Sequence, residues 1–148
     1  MNSLNLLIIE SHTAVRQALV TRLQSAKGIE QIGAVATIAE ALGYVKLQKP
    51  DVVLLGLRHP LNEELKCVVM QVRQLVNTGV HVLVLASYAD EVEREALLQA
   101  GAQQYLLKTI DTPHLIQSID KVASMVPKTA VSPPFPPPTM RIPQPSFF

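Results

Sequence analysis

The sequence predicts an α/β fold: a doubly wound, five-stranded parallel sheet with five helices. Three observations predict it. Short apolar runs alternate five times with helix-patterned stretches between residues 4 and 125. Most of the runs lack in/out alternation, as strands buried on both faces should. Strict β–α alternation also favours parallel strands joined by right-handed crossovers, with helices covering both faces.

The strand candidates, in order, are Leu4–Ile9, Gln31–Ala36, Val52–Leu55, Val80–Leu85 and Gln103–Leu107. The second and fifth are less continuously apolar than the rest. In the first helical stretch Val15, Ala18, Leu19 and Leu23 share a face; Ile38, Leu42 and Val45 do so in the next. Leu65, Val68, Val72 and Leu75 form the third stripe, Val92, Ala96 and Ala100 the fourth, and Leu115, Ile119 and Val122 the last. Gly28, Gly79 and Gly101 fall just past helix ends, where a positive φ is commonly needed. Asp111 with Pro113 two residues on reads as a capping carboxylate followed by a first-turn proline. Pro50 precedes the third strand and Pro60 follows it. Five β–α units in this length fit a flavodoxin-like sheet of order 2-1-3-4-5.

Residues 1–125 therefore read as one domain, and residues 126–148 as something different in kind. Eight prolines make the last 23 residues about one-third proline, so this stretch reads as a disordered tail sampling extended polyproline conformations. No internal repeat is present.

Bulk composition narrows the function classes. Hydrophobic residues make up 48% and charged residues 17%, ample for a core. The chain has 13 basic and 12 acidic groups; Lys128 and Arg141 lie in the tail, leaving residues 1–125 at a net charge of −1. A nearly neutral body gives no electrostatic case for nucleic acid or an anionic membrane as the partner. No segment approaches the ~20 apolar residues of a membrane helix, and no basic stretch precedes the apolar run ended by Glu10, so a soluble cytoplasmic protein is expected. The lone Cys67, in an apolar helical stretch, is expected to be a buried structural thiol.

In an open parallel sheet, ligands bind beyond the carboxyl ends of the strands, at the switch point between the first and third. The residues there are Glu10-Ser11-His12, Gly56-Leu57-Arg58-His59-Pro60, Ala86-Ser87 and Lys108. No glycine-rich phosphate loop follows the first strand, which argues against a nucleotide or flavin enzyme. There is no Ser–His–Asp set either. His12 and His59 beside Glu10 invite a zinc site, but two histidines and one glutamate on separate loops fall short of that ligand set, and loop histidines exposed to solvent are expected. Asp90, Glu91, Glu93 and Glu95 open the fourth helix, where acids favour the positive helix end and are expected to stay solvated.

Four segments, in this order and spacing, resemble the landmarks of response-regulator receiver domains, with a flavour similar to LuxR-type regulators. They are Leu7–His12, Pro50–Pro60, Val82–Tyr88 and Gly101–Lys108. The resemblance covers residues 4–125. It implies a pair of acids after the first strand that hold Mg²⁺; here Glu10 stands beside Ser11. It implies a phosphate-accepting aspartate where Gly56 stands, and a Thr or Ser where Ala86 stands, with Ser87 next door. The lysine that pairs with the phosphate is kept as Lys108, and the aromatic switch position as Tyr105.

Aspartyl phosphate formation needs a carboxylate nucleophile, and glycine supplies none. Mg²⁺ wants several oxygen ligands, and one Glu beside a Ser is a poor start. Asp51 lies at the opposite end of the same strand. Neither a metal nor another cofactor is expected. Lys108 is expected to pair with Glu10, or alternatively to bind an anion or partner. Tyr105 is either an aromatic anchor or ordinary edge packing.

The expectation is a degenerate receiver, not an enzyme, signalling through protein partners without phosphotransfer. The resemblance places docking or homodimer contacts on helices one and five, or on the face of helix four, strand five and helix five. Regulators of this type usually continue into a helix-turn-helix domain, which this sequence lacks, so no direct DNA contact is expected. Two alternatives stand beside this reading. One is a sensor holding a small anion in the vacated acidic site. The other is docking by the tail, where Phe135-Pro136-Pro137-Pro138 resembles a proline-rich recognition peptide.

Overall fold

The computed structural model describes residues 3–57 and 65–124. Among the described residues strands and helices alternate: β1 Leu4–Ile9, α1 Thr13–Leu23, β2 Ile29–Val35, α2 Ile38–Gln48, β3 Val52–Gly56, α3 Leu65–Asn77, β4 His81–Ala86, α4 Glu91–Gln99, β5 Gln104–Leu107 and α5 Thr112–Ala123. The strands form one parallel sheet in the order β2-β1-β3-β4-β5, the flavodoxin-like topology expected from the alternation. The expected proline-rich tail, Arg58, His59 and Pro60 lie outside the described residues.

Two apolar layers sandwich the sheet because alternate residues of each central strand point to opposite faces. Leu7, Ile9, Val53, Leu55, Val82 and Val84 face α2, α3 and α4. Leu6, Ile8, Val52, Leu54, Leu83 and Leu85 face α1 and α5. All six residues of β4 are buried, which is why that strand shows no alternation in sequence.

Local chemistry starts and stops the elements. Thr37 caps α2, while the Glu40 carboxylate turns back to accept Ala36 N–H at 2.9 Å. Asp111 caps α5 with Pro113 in its first turn, as expected. Gly28, Gly79 and Gly101 all adopt positive φ. At Gly101 (φ +119°) a side chain would also press on Val76.

The structure corrects several details. β2 begins two residues before the expected Gln31, because Ile29 pairs with Leu4. It is an edge strand, half exposed, so apolar continuity marks it poorly. In α1 the core takes Leu19 and Leu23 but leaves Ala18 exposed. In α3 the buried stripe is Val72, Leu75 and Val76, with Leu65 and Val68 half buried. Cys67 sits off that stripe and is exposed, not a buried thiol. The largest revision is in α4, where Glu93, Leu97 and Ala100 face inward while Val92 is 73% exposed. Glu93 is thus not a solvated member of an acidic cluster.

Candidate functional site at the carboxyl edge of the sheet

Strand register brings the switch-point residues together. Ile9 pairs with Leu55, Gly56 with Leu85 and Ala86 with Leu107, so Glu10, Gly56, Ala86 and Lys108 share one edge. The ladder runs on past the strand ends: Leu57 N–H donates to Leu85 O and Lys108 N–H to Ala86 O, each at 2.8 Å. Backbone hydrogen bonding therefore fixes where these side chains start.

Glu10 is the centre of the arrangement. Its side chain is only 1% exposed, and its two oxygens are separately engaged. Lys108 Nζ donates to Oε1 at 2.9 Å, and His12 N–H donates to Oε2 at 3.0 Å. The Arg16 guanidinium also donates to the Glu10 carbonyl at 2.8 Å. The expected Glu10–Lys108 pair is thus formed, and Lys108 itself is 19% exposed. A carboxylate this deeply buried is tolerable only because a cation and a backbone N–H compensate it.

Gly56 explains why Glu10 can lie there. A Cβ built at residue 56 would overlap Glu10 Oε1 and stand 3.1 Å from Glu10 Cδ. The volume that any larger residue at 56 would claim is occupied by the Glu10 carboxylate. Ala86 is fully buried and contributes only a methyl group. Ser87, beside it, is exposed, as is Ser11. Ser11 borders a hollow of about 210 Å³ with Thr37, Leu55, Gly56, Val68 and Gln71.

The donor set does not fit the Mg²⁺ that the receiver resemblance implies. Both Glu10 side-chain oxygens are committed, Gly56 has no side-chain oxygen to offer, and Ser11 adds only a neutral hydroxyl. No group of three or more His, Cys, Asp or Glu among the described residues is placed to hold a metal ion. His12 caps α1, its Nδ1 accepting Val15 N–H at 3.4 Å; His59, the other half of the zinc idea, lies outside the described residues. Asp51 is at the far end of the sheet, as expected, where its carboxylate accepts Asn5 N–H at 2.8 Å.

A second polar group was not legible in advance. On the flank of the sheet the Tyr105 hydroxyl donates to Glu93 Oε2 at 2.8 Å and lies 3.3 Å from the Tyr88 carbonyl oxygen. Burial, and then the hydrogen bond to the Glu93 carboxylate, hold the Tyr105 phenol well above its ordinary pKa of 10.0. The signal that could have found Glu93 is its spacing: it stands four and seven residues before Leu97 and Ala100, in the inward stripe of α4. A shallow hollow of about 350 Å³ adjoins Tyr105, bordered by Arg94, Leu98, Gln103, Gln104 and Lys121.

Among the described residues no helix is long and apolar enough to cross a membrane. Residues 6–120 match the family described as the response regulator receiver domain. Over 115 residues the chain is 31% identical to YhcZ, a transcriptional regulatory protein of Bacillus subtilis, covering 78% of this chain and 53% of that one. The chain thus spans about half the length of the curated relatives it matches. Among solved structures, a response regulator from Thermotoga maritima shares the fold with a TM-score of 0.70 at 21% identity, over 83% of this chain and 99% of that one. The signal receiver domain of the response regulator NarL from Mycobacterium tuberculosis gives 0.69 at 23% identity, over 83% and 98%. The chain belongs to the response regulator receiver domain family.

Proposed function

We propose that this chain is a pseudo-receiver: a binding module that signals by docking to protein partners and takes up no phosphoryl group. One observation carries the reading. The buried Glu10 carboxylate fills the space in front of Gly56 and is neutralised there by Lys108. An acyl phosphate must form on a carboxylate, and the residue at the acceptor position has no side chain. Glu10 is a poor substitute nucleophile, because both of its oxygens are held in hydrogen bonds from cationic or backbone donors.

Docking remains available because the helical faces are unaffected by what the edge has lost. The surfaces proposed for a protein partner or a second copy of the chain are α1 with α5, and the face of α4, β5 and α5. The Arg22 guanidinium bridges α1 to the start of α5, donating to Thr112 Oγ1 at 2.9 Å, so a side-chain hydrogen bond links the first pair. The near-neutral body supports a protein partner over nucleic acid or membrane, and the proposed place of action is the cytoplasm. The anion-sensor reading is weakened, because the cation it would use is bound to Glu10. In this proposal the domain spans residues 1–125, and the role of residues 126–148 as a docking peptide is a separate question that their deletion answers.

The test is intact-mass spectrometry after incubation with acetyl phosphate and Mg²⁺, paired with analytical ultracentrifugation. The expected outcome is no added phosphoryl mass and an association state that the phosphodonor does not change. Stoichiometric phosphorylation would overturn the proposal.

A further inference from the structure

The half-buried Tyr105 and the buried Glu93 form a pair that neither the acidic edge nor the family match assigns. β5 holds Tyr105 beside Val84 of β4, and Ala86, two residues further on, pairs with Leu107. The resemblance implies a hydroxyl-bearing residue at 86 that would answer to the phosphoryl group; an alanine methyl can neither donate nor accept. The Tyr105 hydroxyl takes its acceptor from α4 instead, the Glu93 carboxylate at 2.8 Å, with the Tyr88 carbonyl oxygen 3.3 Å away.

The backbone under Glu93 is itself fixed. Asp90 caps α4, its Oδ1 accepting Glu93 N–H at 2.9 Å, and Arg94 N–H donates to Asp90 O at 2.8 Å. Glu93 is 5% exposed, so its carboxylate needs strong donors where it lies. Three segments therefore meet at one phenol: the β4–α4 connection through Tyr88, α4 through Glu93 and β5 through Tyr105.

We propose that Glu93 is a positioning residue that holds the Tyr105 ring, so that the α4–β5 flank is set from α4 and not from the carboxyl edge of the sheet. The tether stands on its own geometry; its regulatory meaning, a docking face kept in one state, rests on the pseudo-receiver reading. Replacing Glu93 should release the ring, and loading the acidic edge should not.

The experiment uses the full chain with its three tyrosines labelled at Cζ and followed by NMR. Tyr105 is assigned by loss of its signal in Tyr105→Phe. Glu93→Met, which keeps length and burial but removes the acceptor, should shift or broaden the Tyr105 resonance and leave Tyr44 in place. Glu93→Gln, which retains an acceptor oxygen, should restore most of the wild-type position. Beryllofluoride with Mg²⁺ should leave the wild-type Tyr105 signal unmoved. An unchanged Tyr105 resonance in Glu93→Met would overturn the tether. Movement on adding beryllofluoride would instead overturn the pseudo-receiver reading, and with it the independence of the flank. Thermal melts close the test even if one variant is poorly folded at higher temperature. Glu93→Met and Tyr105→Phe together should lower Tm by less than the two shifts added, and strict additivity would count against a direct link.

Discussion

The carboxyl edge of the sheet and the α4–β5 flank each hold a buried carboxylate, Glu10 in one and Glu93 in the other, and they compensate it differently. At the edge, the room beside Gly56 is filled by the carboxylate of the residue that follows β1. Glu10 lies in that room, paired with Lys108. On the flank, the Tyr105 ring of β5 is tied to a different element, α4, through Glu93. The contrast teaches that a buried carboxylate can be compensated by a cation within its own site or by a neutral donor from a neighbouring element. Lys108 does the first for Glu10 and Tyr105 the second for Glu93.

The largest expected effect is at the edge. Lys108→Ala would leave the Glu10 carboxylate buried beside a single backbone donor, and loss of one partner of a buried pair costs roughly 3–5 kcal/mol. Urea denaturation at neutral pH would measure it, and a cost below about 1 kcal/mol would mean that the pair does not hold the edge closed. Gly56→Ala comes next. Its methyl group must displace Glu10 Oε1, and overpacking a tight site costs about 1–3 kcal/mol. The same substitution in a Glu10→Ala background should lose most of its penalty; an equal penalty there would show that Glu10 does not fill the space.

Tyr105→Phe tests the flank and should cost about 1 kcal/mol, the net worth of an ordinary hydrogen bond. Its pH dependence sharpens the comparison. The folded protein holds the phenol above its ordinary value of 10.0, so the folded state retains that proton more tightly than the unfolded chain. The linked stability is complete below that pH and is lost as pH rises beyond it. Wild type should therefore lose stability in alkali more steeply than Tyr105→Phe, and parallel curves would deny the Glu93 link. The smallest pH-linked effect lies outside both regions. Hydrogen bonds from the His114 backbone N–H and then its ring lower the pKa of the exposed Asp111 carboxyl. Its contribution is present above the ordinary value of 3.8 and is lost as pH falls through the lower folded value. Asp111→Ala should flatten that acid limb slightly and leave Glu10 and Tyr105 untouched.

The fold was largely legible in the sequence because β1, β3 and β4 are buried on both faces and their apolar runs cannot be mistaken for alternating strands. The edge strands were less so, since β2 is half exposed and its ends are set by pairing with β1 rather than by composition. Glycine at 56 and alanine at 86 could be read directly, as could the opposite charges of Glu10 and Lys108. What the sequence could not show is that Glu10 lies in the space of residue 56, because that depends on a side-chain path across two strands. Glu93 was misread for a related reason. A carboxylate among other acids at a helix start looks solvated, and only the rotation of α4 against β5 turns it inward in place of Val92.

The central claim is that the carboxyl edge is chemically closed. It is tested most directly by titrating ¹⁵N-labelled protein with Mg²⁺ and acetyl phosphate while following the backbone amides of Glu10, Gly56 and Lys108. The account predicts that these signals keep their positions through the titration. Saturable shifts at all three would contradict it, because they would mean that Glu10 and Lys108 part to admit a metal ion and a phosphoryl group.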